Sequence, residues 1–239
     1  MSAGVHYLMT TLQLKGMASV LERELMRAER EGTSVSEVLE RLLMEESRHR
    51  QEQSMAYRLR QARMPWDWSL ESFPFQRQPG VSQAQIRQLA SLAFLKRAEN
   101  VVFIGNPGTG KTGLAIALLR QSLINQHRGR FYNAQDLMNE LYASLADRST
   151  SRLLKQLASY DLLVIDELGY LTLKPEQANA FFKLMDLRYG KKSTLITTNL
   201  DYPEWYELFQ RKSLVEALLD RLQHLCTTIR ISGPSLRAS

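Results

Sequence analysis

The stretch that most constrains this chain is Gly105-Asn106-Pro107-Gly108-Thr109-Gly110-Lys111-Thr112. It satisfies G-x-x-x-x-G-K-[ST] at every fixed position. Its flanks agree with it. Val101-Val102-Phe103-Ile104 is a short apolar run with strand character, and Gly113-Leu114-Ala115-Ile116-Ala117-Leu118-Leu119 reads as the buried start of a helix. A strand, a glycine-rich turn and a helix N-terminus make an anion site, because backbone N–H groups and the positive end of the helix converge there. Gly105, Gly108 and Gly110 let the backbone close around phosphates without Cβ clashes. Lys111 brings an ammonium to the β- and γ-phosphates, and the Thr112 hydroxyl is placed to ligate Mg²⁺. Residues Gly105 to Gly113 are therefore the expected nucleotide contacts.

The remainder of this half supplies the elements such a loop needs. Arg130-Phe131-Tyr132-Asn133-Ala134 reads as a strand, with helical segments from Asp136 to about Ser159. Leu162-Leu163-Val164-Ile165 is a buried strand. Pro175 to Tyr189 is a helix opening on proline, with Ala178, Phe181, Phe182 and Met185 on one face. Ser193 to Thr198 is a strand, Leu214 to His224 a helix and Thr227 to Ile231 a last short strand. Strands separated by helices of this length imply an α/β fold: βαβ units and a parallel sheet covered on both faces.

The strand at Leu162 ends in two carboxylates, Asp166 and Glu167. The C-terminal ends of parallel strands open into the ligand crevice. Asp166 would join Thr112 in the Mg²⁺ shell, and Glu167 would activate the attacking water, which must lose a proton as it attacks the γ-phosphorus. A small-molecule kinase would place a substrate hydroxyl where the water stands. Asn199 closes the Thr194-Leu195-Ile196-Thr197-Thr198 strand, and its amide reaches the γ-phosphate if that strand lies between the other two. The base-reading motif Asn-Lys-x-Asp of G proteins is missing, which disfavours GTP.

The first part of the chain reads differently. Leu8 and Leu12, then Met17, Leu21, Leu25 and Ala28, give apolar positions at helical spacing, interrupted by Lys15-Gly16; Gly32 ends this section. Ser34-Val35-Ser36-Glu37 is a capping-box signature, after which Val38, Leu39, Leu42 and Leu43 form a stripe. Pro65 disfavours helix at Met64. Residues 1–63 are expected to form a small helical domain. Residues 64–81 are an aromatic, proline-containing linker with Trp66, Trp68, Phe73 and Phe75, which should pack on something. Residues 82–239 form the nucleotide-binding domain, and its opening stretch from Gln83 to Arg97 resumes a helical period.

Charge is uneven within the helical part. Residues 1–46 carry Lys15, Arg23, Arg27, Arg30 and Arg41 against eight glutamates, whereas residues 47–63 carry Arg48, Arg50, Arg58, Arg60 and Arg63 against Glu52 alone. That basic run reads either as a solvated helix end or as a contact to phosphate backbones. A net charge of +6 raises the prospect of a polyanionic partner. Cys226 is the sole cysteine, so no internal disulfide forms and a reducing cytoplasm is the expected location. His6, His49, His127 and His224 lack metal-ligand spacing. No apolar stretch approaches membrane-spanning length, so no membrane partner is expected.

The segments GNPGTGKTGLA, LLVIDELGYLTLKPEQANAFFKLMDLRY, STLITTN and LLDRLQH, in this order, resemble the IstB family. These are AAA+ ATPases that assist the IstA transposase of bacterial insertion sequences, and they are close relatives of the DnaC helicase loaders. The stretch YLMTTLQLKGMASVLERELMRAE is also similar, so the resemblance spans nearly the whole chain. Glu167-Leu168-Gly169-Tyr170-Leu171 and the helix after it are more discriminating than the phosphate loop. The resemblance implies an AAA+ core in which Gly105–Thr112 is Walker A, Asp166 and Glu167 are Walker B, and Asn199 is sensor 1. Arg221 matches the arginine finger that reaches a neighbouring subunit's ATP, a role suited to an always-charged guanidinium; its alternative is an ion pair with Asp220 or Glu216. Eighteen residues follow Arg221, too few for the helical lid of many AAA+ proteins. Gly113 departs from the larger residue common in the family, costing the helix a little and removing no ligand.

The motifs together with this resemblance imply an ATP- and Mg²⁺-dependent ATPase, and the resemblance implies that it self-associates on duplex DNA and assists an IstA-like transposase, with hydrolysis controlling assembly. The alternative is a helicase loader, and a metabolic P-loop kinase is a third reading. A second set of candidate DNA contacts, by analogy with the DnaA/DnaC group, is Arg148, Arg152 and Lys155.

Overall fold

The computed structural model describes residues 3–169 and 171–237, which form two compact units dividing at Arg58 and Leu59. Tyr170, part of the most discriminating segment, lies outside the described residues.

The first unit contains helices α1 (Ala3–Thr11) and α2 (Lys15–Glu31) and most of α3 (Val35–Gln61). Lys15-Gly16 does not interrupt a helix as the sequence suggested; both residues open α2. Glycine is required there by the close passage of α3. A Cβ on Gly16 would lie 2.7 Å from the His49 Cβ and 2.8 Å from the Glu45 carbonyl and the Glu46 Cα. The Glu46 carboxylate accepts the Gly16 and Met17 N–H groups at 2.8 and 3.2 Å, capping the first turn of α2. Gly32, at φ 65°, terminates α2, and Ser34 and Glu37 exchange side-chain and backbone bonds at the start of α3. The buried stripe is narrower than the periodicity implied. Val38 and Leu42 pack with Met9, Met17, Val20 and Leu21, while Leu8, Leu12, Leu25, Leu39 and Leu43 are exposed.

The second unit is built on five parallel strands: β1 (Asn100–Gly105), β2 (Gly129–Asn133), β3 (Leu162–Asp166), β4 (Ser193–Thr198) and β5 (Cys226–Ile231). Their order is β2-β3-β4-β1-β5. Alternate residues face opposite sides. Val102, Ile104, Leu163, Ile165 and Ile196 meet α7 (Ala134–Ala146), α8 (Thr150–Ala158), α9 (Pro175–Arg188), α10 (Trp205–Phe209) and α11 (Lys212–His224). Val101, Phe103, Leu162, Val164 and Leu195 meet α6 (Lys111–Ile124), α4 (Gln83–Ala90) and α5 (Ala93–Lys96). The helix expected from Gln83 to Arg97 is thus two. The helical path breaks at Leu92, φ 60°, and Leu92 and Phe94 on either side of α5's start are buried.

Phe73 is buried in the α6-side core, with Trp68, Leu70 and Phe75 packed against it. Helix α3 stops at Gln61 rather than near Met64, and the carbonyls at its end serve the sheet edge: Gln61 O accepts from Arg130 and Ala62 O from the Phe131 N–H, at 2.6 and 2.8 Å. On the other face, buried Arg188 binds the Leu157 and Tyr160 carbonyls at 2.7 and 2.9 Å and Thr194 Oγ1 at 2.9 Å. Burial pushes its pKa down to about 9. No helix of the described residues is long and apolar enough to cross a membrane, and none follows β5 among them.

Candidate nucleotide site

The sheet order places β4 between β1 and β3, so the C-terminal ends of all three strands converge beside the glycine loop. Gly108 and Gly110 take φ values of 80° and 92°, a region that excludes most side chains. Helix α6 starts at Lys111, directly after Gly110, and no side chain caps it. Its first N–H groups are left for an anion. The Thr109 hydroxyl donates to the Asn106 carbonyl at 2.8 Å and braces the loop. The Lys111 ammonium bonds the Gly105 and Asn106 carbonyls at 2.7 and 2.8 Å. Burial lowers its pKa, opposed by the charges of Asp166 and Glu167.

Thr112 Oγ1 donates to both carboxylate oxygens of Asp166, at 2.9 and 3.1 Å. Asp166 is almost wholly buried, and desolvation raises its pKa against the hydrogen bonds from Thr197 and Thr112. Thr197 holds both acidic residues. Its hydroxyl donates to Asp166 at 2.6 Å and accepts the Glu167 N–H at 2.9 Å. Glu167 sits at φ 62°, a strained backbone for a residue with a side chain. Its carboxylate accepts from Asn133 Nδ2 at 3.0 Å. Asn133 lies level with Asp166 in the β2–β3 register, and its Oδ1 caps α7 through the Gln135 N–H.

Asn199 lies in the same cavity as Lys111, Thr112 and Glu167. Its Oδ1 is buried without a hydrogen-bond partner among the described residues. A Cβ on Gly169 would come within 2.3 Å of that oxygen, which explains the glycine following Glu167-Leu168. The cavity measures about 360 Å³, within the range of small-molecule sites. The backbone cradle, the ammonium and the paired Thr112 and Asp166 fit a magnesium nucleotide.

Other sequence candidates lie elsewhere. Arg221 is absent from the cavity lining and pairs at 2.7 Å with Asp186 of α9, rather than with Asp220 or Glu216. Arg48 pairs with Glu45 and Glu52, Arg50 with Glu46, and Arg58 bonds the Ser54 hydroxyl. Arg60 and Arg63 are exposed in the second unit. Arg148, Arg152 and Lys155 are exposed on and beside α8, whose opposite face buries Leu153, Leu154 and Leu157.

Several site residues escaped sequence reasoning. Thr197 and Asn133 were read only as strand residues. Trp66, Trp68, Leu236 and Arg237 also line the cavity. The Leu236 N–H bonds the Gly108 carbonyl at 2.8 Å, and fully buried Gln78 donates to the carbonyls of Thr109 and Pro234, at 3.1 and 3.0 Å. The one available signal was the aromatic density of residues 64–81.

Comparison with known proteins agrees with this geometry. Residues 8–239 match the family model described as IstB-like ATP binding protein. The chain is 38% identical to the ATP-binding protein of insertion sequence IS21 from Pseudomonas aeruginosa, over 96% of this chain and 87% of that one. It is 39% identical to the ATP-binding protein of insertion sequence IS232 from Bacillus thuringiensis subsp. berliner, over 78% and 75%. Among solved structures it resembles the DnaC helicase loader, with a TM-score of 0.54 and 27% identity over 62% of this chain and 87% of that one.

Proposed function

The chain belongs to the IstB-like ATP-binding protein family, and from that premise we propose that it hydrolyses ATP to control its own assembly on duplex DNA in support of a transposase. The observation that carries the reading is the double role of Thr197, which fixes Asp166 toward Thr112 and Glu167 beside the loop. A simple phosphate-holding loop needs no such second carboxylate.

The loop amides and Lys111 hold the phosphates. Thr112 and Asp166 would hold Mg²⁺, which supplies charge neutralisation at the β- and γ-phosphates when bound. Glu167 accepts a proton from the water that attacks the γ-phosphorus, as the bond to the β–γ bridging oxygen breaks. Asn199 orients phosphate and water. Arg221 stands outside its own chain's cavity, on an exposed helix face, which supports delivery to a neighbouring subunit's ATP. Its Asp186 partner is solvent-exposed, so such a pair is weak and exchangeable. The exposed basic residues Arg148, Arg152 and Lys155, with the Arg48–Arg63 run, are the candidate phosphate-backbone contacts. The insertion-sequence relatives favour a transposase as partner over a replicative helicase.

The test uses three variants. Lys111→Ala should lose ATP binding, and Glu167→Gln should bind ATP and DNA without turning over. A mixture of Lys111→Ala and Arg221→Ala should recover part of the activity each lacks alone. Normal turnover in Glu167→Gln would remove it from the chemistry, and no recovery in a co-assembled mixture would remove the finger in trans.

A further inference from the structure

The cavity that receives the phosphates is lined by more than phosphate-binding groups. Trp66, Trp68, Pro107 and Leu236 line it too, with Arg237 beside Leu236. A site that combines cationic and hydrogen-bonding groups with two indoles suits a ligand with a polyanion joined to a planar ring.

The aromatic wall is built into the fold. Three ring atoms of Trp68, Cδ2, Cε2 and Cε3, lie 3.3 Å from where a Cβ on Gly113 would stand. The indole therefore lies face-on across the first turn of α6, an approach that a side chain at position 113 would push back. This gives a structural reason for the glycine that departs from the family pattern. Asp67, between the two tryptophans, accepts from Arg120 Nε at 2.8 Å. Arg120 is two turns further along α6, so Trp66-Asp67-Trp68 is fastened to that helix at two separate points. Trp68 Nε1 is buried without a partner among the described residues, so the indole meets the cavity through its ring and not through its N–H. Trp66 lines the same cavity and is 51% exposed, whereas Trp205 is fully buried in the opposite core.

We propose that Trp66 and Trp68 form the base-binding wall of the nucleotide site, with Trp66 the stacking face and the Trp68 ring the fixed floor packed on α6. This rests on the nucleotide reading above and adds to it a specificity element set in the segment before α4. The wall recognises the planar base and leaves the phosphates to the loop. It acts on affinity for the nucleoside part alone.

The experiment compares ATP with inorganic tripolyphosphate, which carries the charges without a base. Binding to the full chain is followed by calorimetry and by tryptophan emission. Trp66→Ala should weaken ATP binding about tenfold and leave tripolyphosphate affinity unchanged, and Trp66→Phe should keep most of the ATP affinity. ATP should quench the wild-type emission more than tripolyphosphate does. Equal weakening of both ligands would make Trp66 a support for the loop and overturn the proposal. Unchanged ATP affinity in Trp66→Ala would overturn it as well, with the nucleotide reading intact. A wild-type chain that binds neither ligand would instead overturn the nucleotide reading itself.

Discussion

Replacing Thr197 with valine tests the organisation of the site more directly than replacing either carboxylate. Valine keeps the shape of a fully buried side chain and replaces the hydroxyl with a methyl group. Two bonds go with it. One is charge-assisted, to Asp166 at 2.6 Å, and its loss costs about 2 kcal/mol. The other leaves the Glu167 N–H without its acceptor, at about 1 kcal/mol more. The total of about 3 kcal/mol corresponds to a fall of roughly 6–12 °C in Tm for a chain of this size. Thr197→Ser loses a methyl group and keeps both bonds, so it should cost about 1 kcal/mol. Thermal unfolding of the two variants side by side gives the comparison. Turnover should fall about tenfold in Thr197→Val while ATP affinity changes little, because Glu167 loses the bond that fixes its left-handed backbone. If valine melts no lower than serine, the hydroxyl does not hold the two carboxylates and the argument fails.

Three further outcomes are expected. Asn133→Asp keeps the cap on α7 but cannot donate to Glu167 and sets a second carboxylate against it, so turnover should fall several-fold; an unchanged rate would leave Asn133 only its capping role. The Glu46 carboxyl is held below the usual range by Arg50, and by the Gly16 and Met17 N–H groups, against the opposing effect of burial. A depressed folded pKa adds stability above the unfolded value of about 4.3 and loses it as pH falls through the folded value. Glu46→Gln should therefore reduce hydrogen-exchange protection at Val20 and Leu21 near neutrality and flatten its decline in acid, and an identical acid profile would contradict this. Duplex DNA binding should weaken with salt. Each phosphate contact removed by Arg58/Arg60/Arg63→Gln or by Arg148/Arg152/Lys155→Gln should flatten the slope by about one, and a set that leaves slope and affinity unchanged makes no contact.

What the sequence disclosed and what it withheld differ in range. The loop, the strand ending in Asp166-Glu167 and the strand ending in Asn199 are local patterns, and their placement followed once β4 lay between β1 and β3. Stripe width in the first unit was not local. Periodicity assigned Leu39 and Leu43 to the core, but three helices enclose only a narrow seam, and of this stripe only Val38 and Leu42 are buried. The glycine at position 16 read as a breaker because its reason, the passage of α3 near Glu46, lies thirty residues away. The break at Leu92 was hidden because both halves keep a helical pattern, while its left-handed backbone accompanies the tertiary burial of Leu92 and Phe94.

The nucleotide site shows the same division. Residues that touch phosphate must sit at the fixed spacing of one loop, so a motif finds them. Residues that support or enclose the site arrive from wherever the chain passes, and nothing fixes their spacing to that motif. Gln78 reaches the loop carbonyl of Thr109 from the segment before α4 and the Pro234 carbonyl from beyond β5. A Cβ on Gly108 would stand 2.1 Å from the Ser235 hydroxyl, so the chain after β5 lies directly on the loop. The loop is therefore clasped from two directions by segments without a motif of their own. Gln78, fully buried, ties the two together, since one amide group donates both to the loop and to the chain after β5.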